Sequence, residues 1–185
     1  MSTKQIEKSA VEIQIPENVK VSLKGSMLHV QGPLGKVYKS FKKIPVLIEI
    51  NNNKILLKKT GERKKHLAIL NTSRSLIQTL CIGVVDGFTI KMKIVYSHFP
   101  ITVNIEGKKV LIKNFQGERA ARVSVIRGNT LVVAKGDDVI LTGPVLTDVS
   151  QTAANIQTNS KVKNKDHRVF LDGIYKYSQS KGIEK

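Results

Sequence analysis

Tryptophan is absent from the 185 residues, and Phe and Tyr number only five and four. A chain so poor in aromatics is a weak candidate for a broad single-strand binder built on ranks of stacking rings. Cysteine occurs once, at Cys81. That excludes an internal disulfide framework and a thiolate zinc cluster, as expected for a reducing compartment. The four histidines (His29, His66, His98, His167) form no i, i+4 pair and adjoin no carboxylate motif, so they read as surface or turn residues and no metal or cofactor is expected. No G-x-x-x-x-G-K-[ST] loop is present. Asp137-Asp138 reads as part of a solvated Lys-Gly-Asp-Asp turn. With no nucleophile, base and orienting group in view, catalysis is not expected. The start, Met1 to Lys8, lacks the apolar core of a signal peptide, and no run approaches the ~18 apolar residues of a membrane span. A cytoplasmic chain without membrane or small-molecule partner is the expectation.

Acid is the last scarcity. Lys and Arg total 31 against 14 Asp and Glu, a net charge of +17. Such an imbalance repels itself unless a counter-charge is bound, and the counter-charge that fits is nucleic acid. An anionic membrane fits less well, because the cations are spread through strands and turns and do not line one helix face.

What is present is mostly β pattern. Val11, Ile13 and Ile15 alternate with polar neighbours up to Pro16; Val19, Val21 and Leu23 follow, then residues 27–30, with Lys24-Gly25-Ser26 as the turn between. Residues 36–41 come next. Val46, Ile48 and Ile50 lead through three asparagines into residues 55–57, a hairpin, since asparagine tolerates the left-handed conformation of a tight turn. The period then changes. Ile69, Leu70, Ser73, Leu76, Ile77, Leu80 and Cys81 share one face of an amphipathic helix over about 64–82, ended by Gly83. Cys81 lies in that apolar stripe and reads as a core residue. Phe88, Ile90, Met92 and Ile94 then alternate with Thr89, Lys91 and Lys93.

After this strand the sequence begins again. Ile15-Pro16-x-x-Val19-x-Val21 parallels Phe99-Pro100-x-x-Val103-x-Ile105. Each is followed by a glycine turn (Gly25, Gly107), an apolar strand and a second glycine loop (31–35 and 113–117). Strands at 122–126, 131–134 and 139–142 keep the order of the first copy. A helix follows at the matching place, with a capping-box pattern at Asp148-Val-Ser-Gln151 and a narrow stripe of Val149, Ala153 and Ile156. Self-similarity at half the chain length marks a duplication. The fold expected is α+β: two tandem similar domains, each an antiparallel sheet with one helix on a face. The expected boundaries are a flexible tail at 1–10, repeats at 11–95 and 96–176, and a C-terminal tail at 177–185.

The cations gather in three places. Lys54, Lys58, Lys59, Arg63, Lys64 and Lys65 surround the start of the first helix, Arg119 and Arg122 follow the second glycine loop, and Lys161, Lys163, Lys165 and Arg168 form an arm. Three clusters in a small chain read as a multi-point phosphate-binding surface. No helix-turn-helix, zinc-finger or basic-zipper pattern is present to read a DNA major groove. Cationic loops suit structured RNA, recognised by shape and backbone.

Several motifs carry a family resemblance: Gly32-Pro-Leu-Gly35, Tyr96-Ser-His-Phe-Pro-Ile101, Asn114-Phe-Gln-Gly-Glu118, Leu141-Thr-Gly143, Val149-Ser-Gln-Thr-Ala-Ala154, Val162-Lys-Asn-Lys-Asp-His-Arg168 and Phe170-Leu-Asp-Gly-Ile-Tyr175. From about Val11 to Tyr175 the chain resembles the large-subunit ribosomal protein six family (large-subunit protein nine in eukaryotes), in its archaeal/eukaryotic branch. The resemblance implies a structural constituent of the large ribosomal subunit that supports translation. It implies that the C-terminal repeat is the main rRNA-binding domain, near the elongation-factor site, with neighbouring ribosomal proteins including the stalk base. By position it implies rRNA contact by Lys113, Asn114, Gly117, Arg119, Arg122, Lys161, Lys163, Lys165, Arg168, Asp172, Gly173, Tyr175 and Lys176. Ala120-Ala121 and Val123 dilute a run that is more basic in many family members, so the loop is the weaker contact and the arm the stronger. A free-standing RNA chaperone or translational regulator is the alternative reading.

Overall fold

The computed structural model describes residues 10–51, 53–166 and 168–183. Asn52, His167, the first nine residues and the last two lie outside the described residues, and with them most of the expected N-terminal tail. The chain divides into two compact units, residues 1–85 and 86–185.

The first unit contains β1 (Ala10–Gln14), β2 (Lys20–Lys24), β3 (Met27–Gly32), β4 (Gly35–Ser40), β5 (Val46–Asn51), β6 (Lys54–Lys59) and the helix α1 (Lys64–Val85). Two three-stranded sheets form, in the orders β1-β6-β5 and β2-β3-β4, every pairing antiparallel. The asparagine hairpin closes with Asn51 opposite Lys54. Period-two alternation turns Ile13, Leu28, Val30, Ile55 and Leu57 inward, and α1 meets them with Leu70, Ile77, Leu80, Cys81 and Val84. Burial also pushes the Cys81 thiol up, which keeps it protonated at neutral pH, as a core residue should be.

Two expectations about this helix are corrected. Gly83 does not end it: the helix runs on to Val85 with Gly83 buried inside, and the left-handed glycine comes later, at Gly87 (φ +76°). Its 22 residues, with a mean hydropathy of 1.3 in the most apolar window, are also long and apolar enough to cross a membrane by length and composition. Its apolar stripe is nonetheless spent in the core of its own unit. The first basic cluster is likewise partly consumed. Lys54 pairs with Glu12 at 2.9 Å and Lys58 with Glu49 at 2.8 Å, both diagonally across adjacent strands.

The second unit contains β7 (Phe88–Val95), β8 (Thr102–Glu106), β9 (Lys109–Lys113), a 3-10 turn (Phe115–Gly117), β10 (Arg122–Val125), β11 (Leu131–Lys135), β12 (Asp138–Gly143), α2 (Leu146–Asn159) and β13 (Gly173–Lys181). Its sheets run β10-β9-β8 and β11-β12-β7-β13. The order β11-β12-β7 repeats β5-β6-β1, and β8 to β10 repeat β2 to β4. The α+β class with repeated antiparallel sheets is therefore what the structure shows.

The division falls at Val85/Asp86 and not near Val95. β7 is the counterpart of β1; it opens the second copy and does not close the first. The expected tail from 177 is also corrected, because β13 carries the chain through Lys181 along β7, with a bulge between Lys176 and Ser178. Gly182 continues the contact, its N–H donating to the Gly87 carbonyl (3.0 Å) and its carbonyl accepting from the Thr89 hydroxyl (2.6 Å).

α2 starts two residues before the expected capping box. Val145 is its N-cap, no side chain caps it, and Asp148 lies inside the first turn, where its charge still suits the helix dipole. One stripe of α2 (Val149, Ala153, Ile156) enters a core with Ile90, Met92, Val110, Ile112, Leu141 and Ile174. A second, polar stripe closes the edge of β10. The Thr152 hydroxyl accepts from the Arg127 N–H (3.0 Å), and the amides of Asn155 and Asn159 donate to the carbonyls of Val125 and Val123 (3.0 Å each). The helix thus supplies the partners a neighbouring strand would have supplied.

Gly32 packs so closely on the end of α1 that a Cβ there would lie 2.7 Å from the Val84 carbonyl oxygen and 2.7 Å from its Cγ2. The carbonyl cannot rotate away. Gly32→Ala is expected to destabilise the first unit by about 1–3 kcal/mol, read as a lower urea midpoint at unchanged m.

Candidate nucleic-acid interface

The second glycine loop is built on unusual backbone. Among the described residues, the non-glycines with positive φ are Asn114 (+58°), Gln116 (+50°) and Asn164 (+57°). Two lie in this loop and the third in the basic arm. Such conformations persist only where the surroundings hold them. Here Phe115 drops into the core between them, the Asn114 amide donates to the Pro100 carbonyl (3.0 Å), and Gly117 (φ +77°) sits so near Phe99 that a Cβ would lie 3.2 Å from its ring.

Arg122, at the start of β10, ties this loop to the arm. Its guanidinium stacks over the Phe115 ring, 3.9 Å from the centroid. Nε donates to Glu118 Oε2 (2.8 Å), and Nη2 donates to the other carboxylate oxygen. Nη1 donates to the carbonyls of Asn159 (3.1 Å) and Lys161 (2.9 Å). One side chain therefore holds the loop, caps the C-terminus of α2 and fixes the first residue of the arm. Hydrogen bonding from Arg122 leads the causes that hold the Glu118 carboxyl below the usual carboxylate range, with the charges of Arg122, Lys163 and Lys165 adding to it.

The arm leaves α2 through Ser160, which is buried and whose hydroxyl donates to the Gln157 carbonyl (3.2 Å) and accepts the Ile174 N–H (3.1 Å). Val162 is buried in the core and anchors the stem, while Lys161, Lys163 and Lys165 are exposed around it. Arg168 is exposed and pairs with Asp166 at 2.9 Å. The apolar knot after it is not a buried anchor: Val169, Phe170 and Leu171 are all exposed.

Anchorage comes instead from the next residues. Asp172 is buried, its two oxygens accepting the Ser97 N–H (3.1 Å) and the Gln116 amide (3.4 Å). The Tyr175 hydroxyl reaches back to the carbonyls of Leu171 (3.2 Å) and Asp172 (3.4 Å), and its ring lies where a Gly173 Cβ would be, 2.7 Å away. A side chain at Gly173 would displace that ring, and its φ is not positive.

The expected site residues therefore fall into two groups. Lys113, Arg119, Lys161, Lys163 and Lys165 present exposed cations around one loop and arm, with Arg168 beyond. Arg122, Asp172, Gly173, Tyr175, Asn114 and Gly117 hold that surface in shape. Lys176 is exposed on β13, with its ammonium on the Gln179 amide oxygen. Sequence reasoning missed Ser97, His98, Phe99 and Gln116, which line a cleft with Lys165, Phe170 and Asp172. The Phe99-Pro100 step, which parallels Ile15-Pro16, marked that turn but carried no sign of what faces it. Among the described residues, no group of His, Cys, Asp and Glu could hold a metal ion.

A family profile described as "Ribosomal protein L6" matches residues 99–173, a span that contains the glycine loop and the arm. The chain is also 40% identical over 170 residues to the large ribosomal subunit protein uL6 of Methanosarcina mazei, covering 92% of this chain and 97% of the relative. The chain belongs to the uL6 family. The uL6 proteins of Staphylothermus marinus (42% identity, 90% of this chain and 92% of the relative) and Thermoplasma volcanium (42%, 90% and 94%) are similar over the same extent. These relatives are archaeal, in keeping with the branch read from the motifs. The uL6 family is structural and non-enzymatic, so the absence of a catalytic constellation in the sequence agrees with it.

The Glu118–Arg122 pair yields a pH prediction. A carboxyl whose folded pKa is depressed contributes stability that is present above its unfolded pKa and lost as pH falls through the folded value. Stability of the second unit is expected to drop on acidification below the ordinary carboxylate range near ~4, and Glu118→Gln is expected to flatten that drop. Arg122→Ala, which also uncaps α2, is expected to cost about 2–3 kcal/mol, measured by urea unfolding at neutral pH.

Proposed function

We propose that this chain is a structural constituent of the large ribosomal subunit, held there by its C-terminal unit, whose loop and arm bind rRNA backbone. The observation that carries the reading is the Arg122 clamp. It fixes the glycine loop and the first residue of the arm to one guanidinium, so Lys113, Arg119, Lys161, Lys163 and Lys165 form one positioned cationic surface. The net charge of +17 supports the same partner. So do the names of the relatives, all large ribosomal subunit proteins. Arg168 and Lys176 extend the contact on the two sides. The working place is the cytoplasmic ribosome near the elongation-factor site, with the stalk base among the protein neighbours; the family resemblance supports this part of the reading.

The chain is expected to sediment with the large subunit through a moderate-salt wash, and recovery only in the soluble fraction would overturn the proposal. Lys161→Ala, Lys163→Ala and Lys165→Ala together are expected to reduce the slope of log affinity against log salt by about 0.7–0.9 per lost contact. The melting temperature should hold, since these side chains are exposed. Equal affinity for unrelated RNAs would favour a free-standing chaperone instead.

A further inference from the structure

Phosphate binding leaves the apolar half of the cleft without a task. Phe99 and Phe170 are 47% and 40% exposed, although both line the cleft beside Gln116, Lys165 and Asp172. Phe99 is steadied by its close approach to Gly117. Phe170 carries the Lys165 ammonium over its ring, 4.7 Å from the centroid. The contrast with Arg122 over Phe115 is informative. That pair is mostly buried and its cation makes hydrogen bonds on every side, whereas Lys165 and Phe170 both face solvent.

An exposed cation–ring contact contributes about 0.5–1 kcal/mol, less than the roughly 1–3 kcal/mol of a base stacked on an aromatic ring. Lys165 can therefore leave the ring for a phosphate while a base takes its place. Asp172 and Gln116 are bonded to each other, and the Gln116 amide keeps its second N–H and its carbonyl oxygen for a flat polar edge, with the Asp172 carboxylate behind it. Gln116 is held at φ +50° in doing so, a strained backbone at a lining residue.

We propose that this cleft receives one unstacked nucleobase of the bound RNA, stacked on Phe170 in the position Lys165 occupies, flanked by Phe99, with its edge on Gln116 and Asp172. The inference rests on the RNA-binding reading above. Lys165 in the lining and the net charge of +17 favour a polyanionic chain over an apolar side chain from a protein.

The test uses the full chain and large-subunit rRNA. Phe99→Leu with Phe170→Leu, which keeps apolar volume and removes the rings, is expected to weaken binding about 10-fold with an unchanged salt slope. Phe170→Tyr with Phe99 intact is expected to bind like the parent, and ultraviolet crosslinking of the parent should leave a nucleotide on the peptide bearing Phe99 or Phe170. Undiminished affinity of the leucine variant, with crosslinks confined to lysine peptides, would overturn the base site and leave the rRNA reading standing. Normal rRNA affinity combined with failure to enter the subunit would assign the cleft to a protein partner and overturn it too. Loss of rRNA binding by the parent itself would remove both readings.

Discussion

A single guanidinium holds the C-terminal unit in its working shape. Arg122 is a cation spent inside the chain: it lies on Phe115, bonds both oxygens of Glu118 and accepts the task of ending α2. Without it, the carbonyls of Asn159 and Lys161 would lose their donor, the glycine loop would lose its tie to the helix, and the arm would lose its fixed origin. A buried or half-buried charge is costly unless every donor finds an acceptor. Arg122 comes close to that condition, with four of its five N–H donors bonded to three residues and its face on the Phe115 ring. The exposed lysines around it gain direction from this arrangement, since a flexible ammonium is only as well placed as its backbone.

The two copies share a topology and differ in what hangs from it. In the first, the glycine loop is a plain hairpin end with Gly32 opposite Gly35, and Lys54 and Lys58 of the basic cluster are paired with acids across the other sheet. In the second, the equivalent loop is a 3-10 turn with two left-handed non-glycine residues, and an arm and a further strand follow the helix. The framework is common and the chemistry is local to one copy.

The strands up to β12, both helices and the duplication could be read from the chain because hydrophobic period and turn residues are local signals; β13, expected in part as a tail, could not. The domain boundary could not. β7 alternates like a closing strand, and only its pairing with β12 and β13 shows that it opens the second sheet. Arg122 looked like the other cations because sequence gives no sign of Glu118, Asn159 and Lys161 converging on it. The Thr152, Asn155 and Asn159 stripe of α2 partners the backbone of β10 and of Arg127, and nothing in the helix's own sequence points to that strand. The Tyr175 ring beside Gly173 was not legible either, since it depends on the direction of that side chain. In each case the missing information was a partner distant in sequence or a direction of a side chain.

β13 has a consequence for how the protein is made. It lies along β7 with Lys181 opposite Phe88, so the two ends of the unit are stitched together across nearly its whole length. The first unit has all its strands and its helix once Val85 has been synthesised. The second cannot complete its four-stranded sheet until residue 181 has emerged, because its central strand waits for its last one. Such distant pairing is slow compared with local contacts. Ser160 meets the backbone of Ile174, so the stem of the arm is fastened by the same late strand. The stem of the basic surface therefore takes its final form only once β13 is in place along β7.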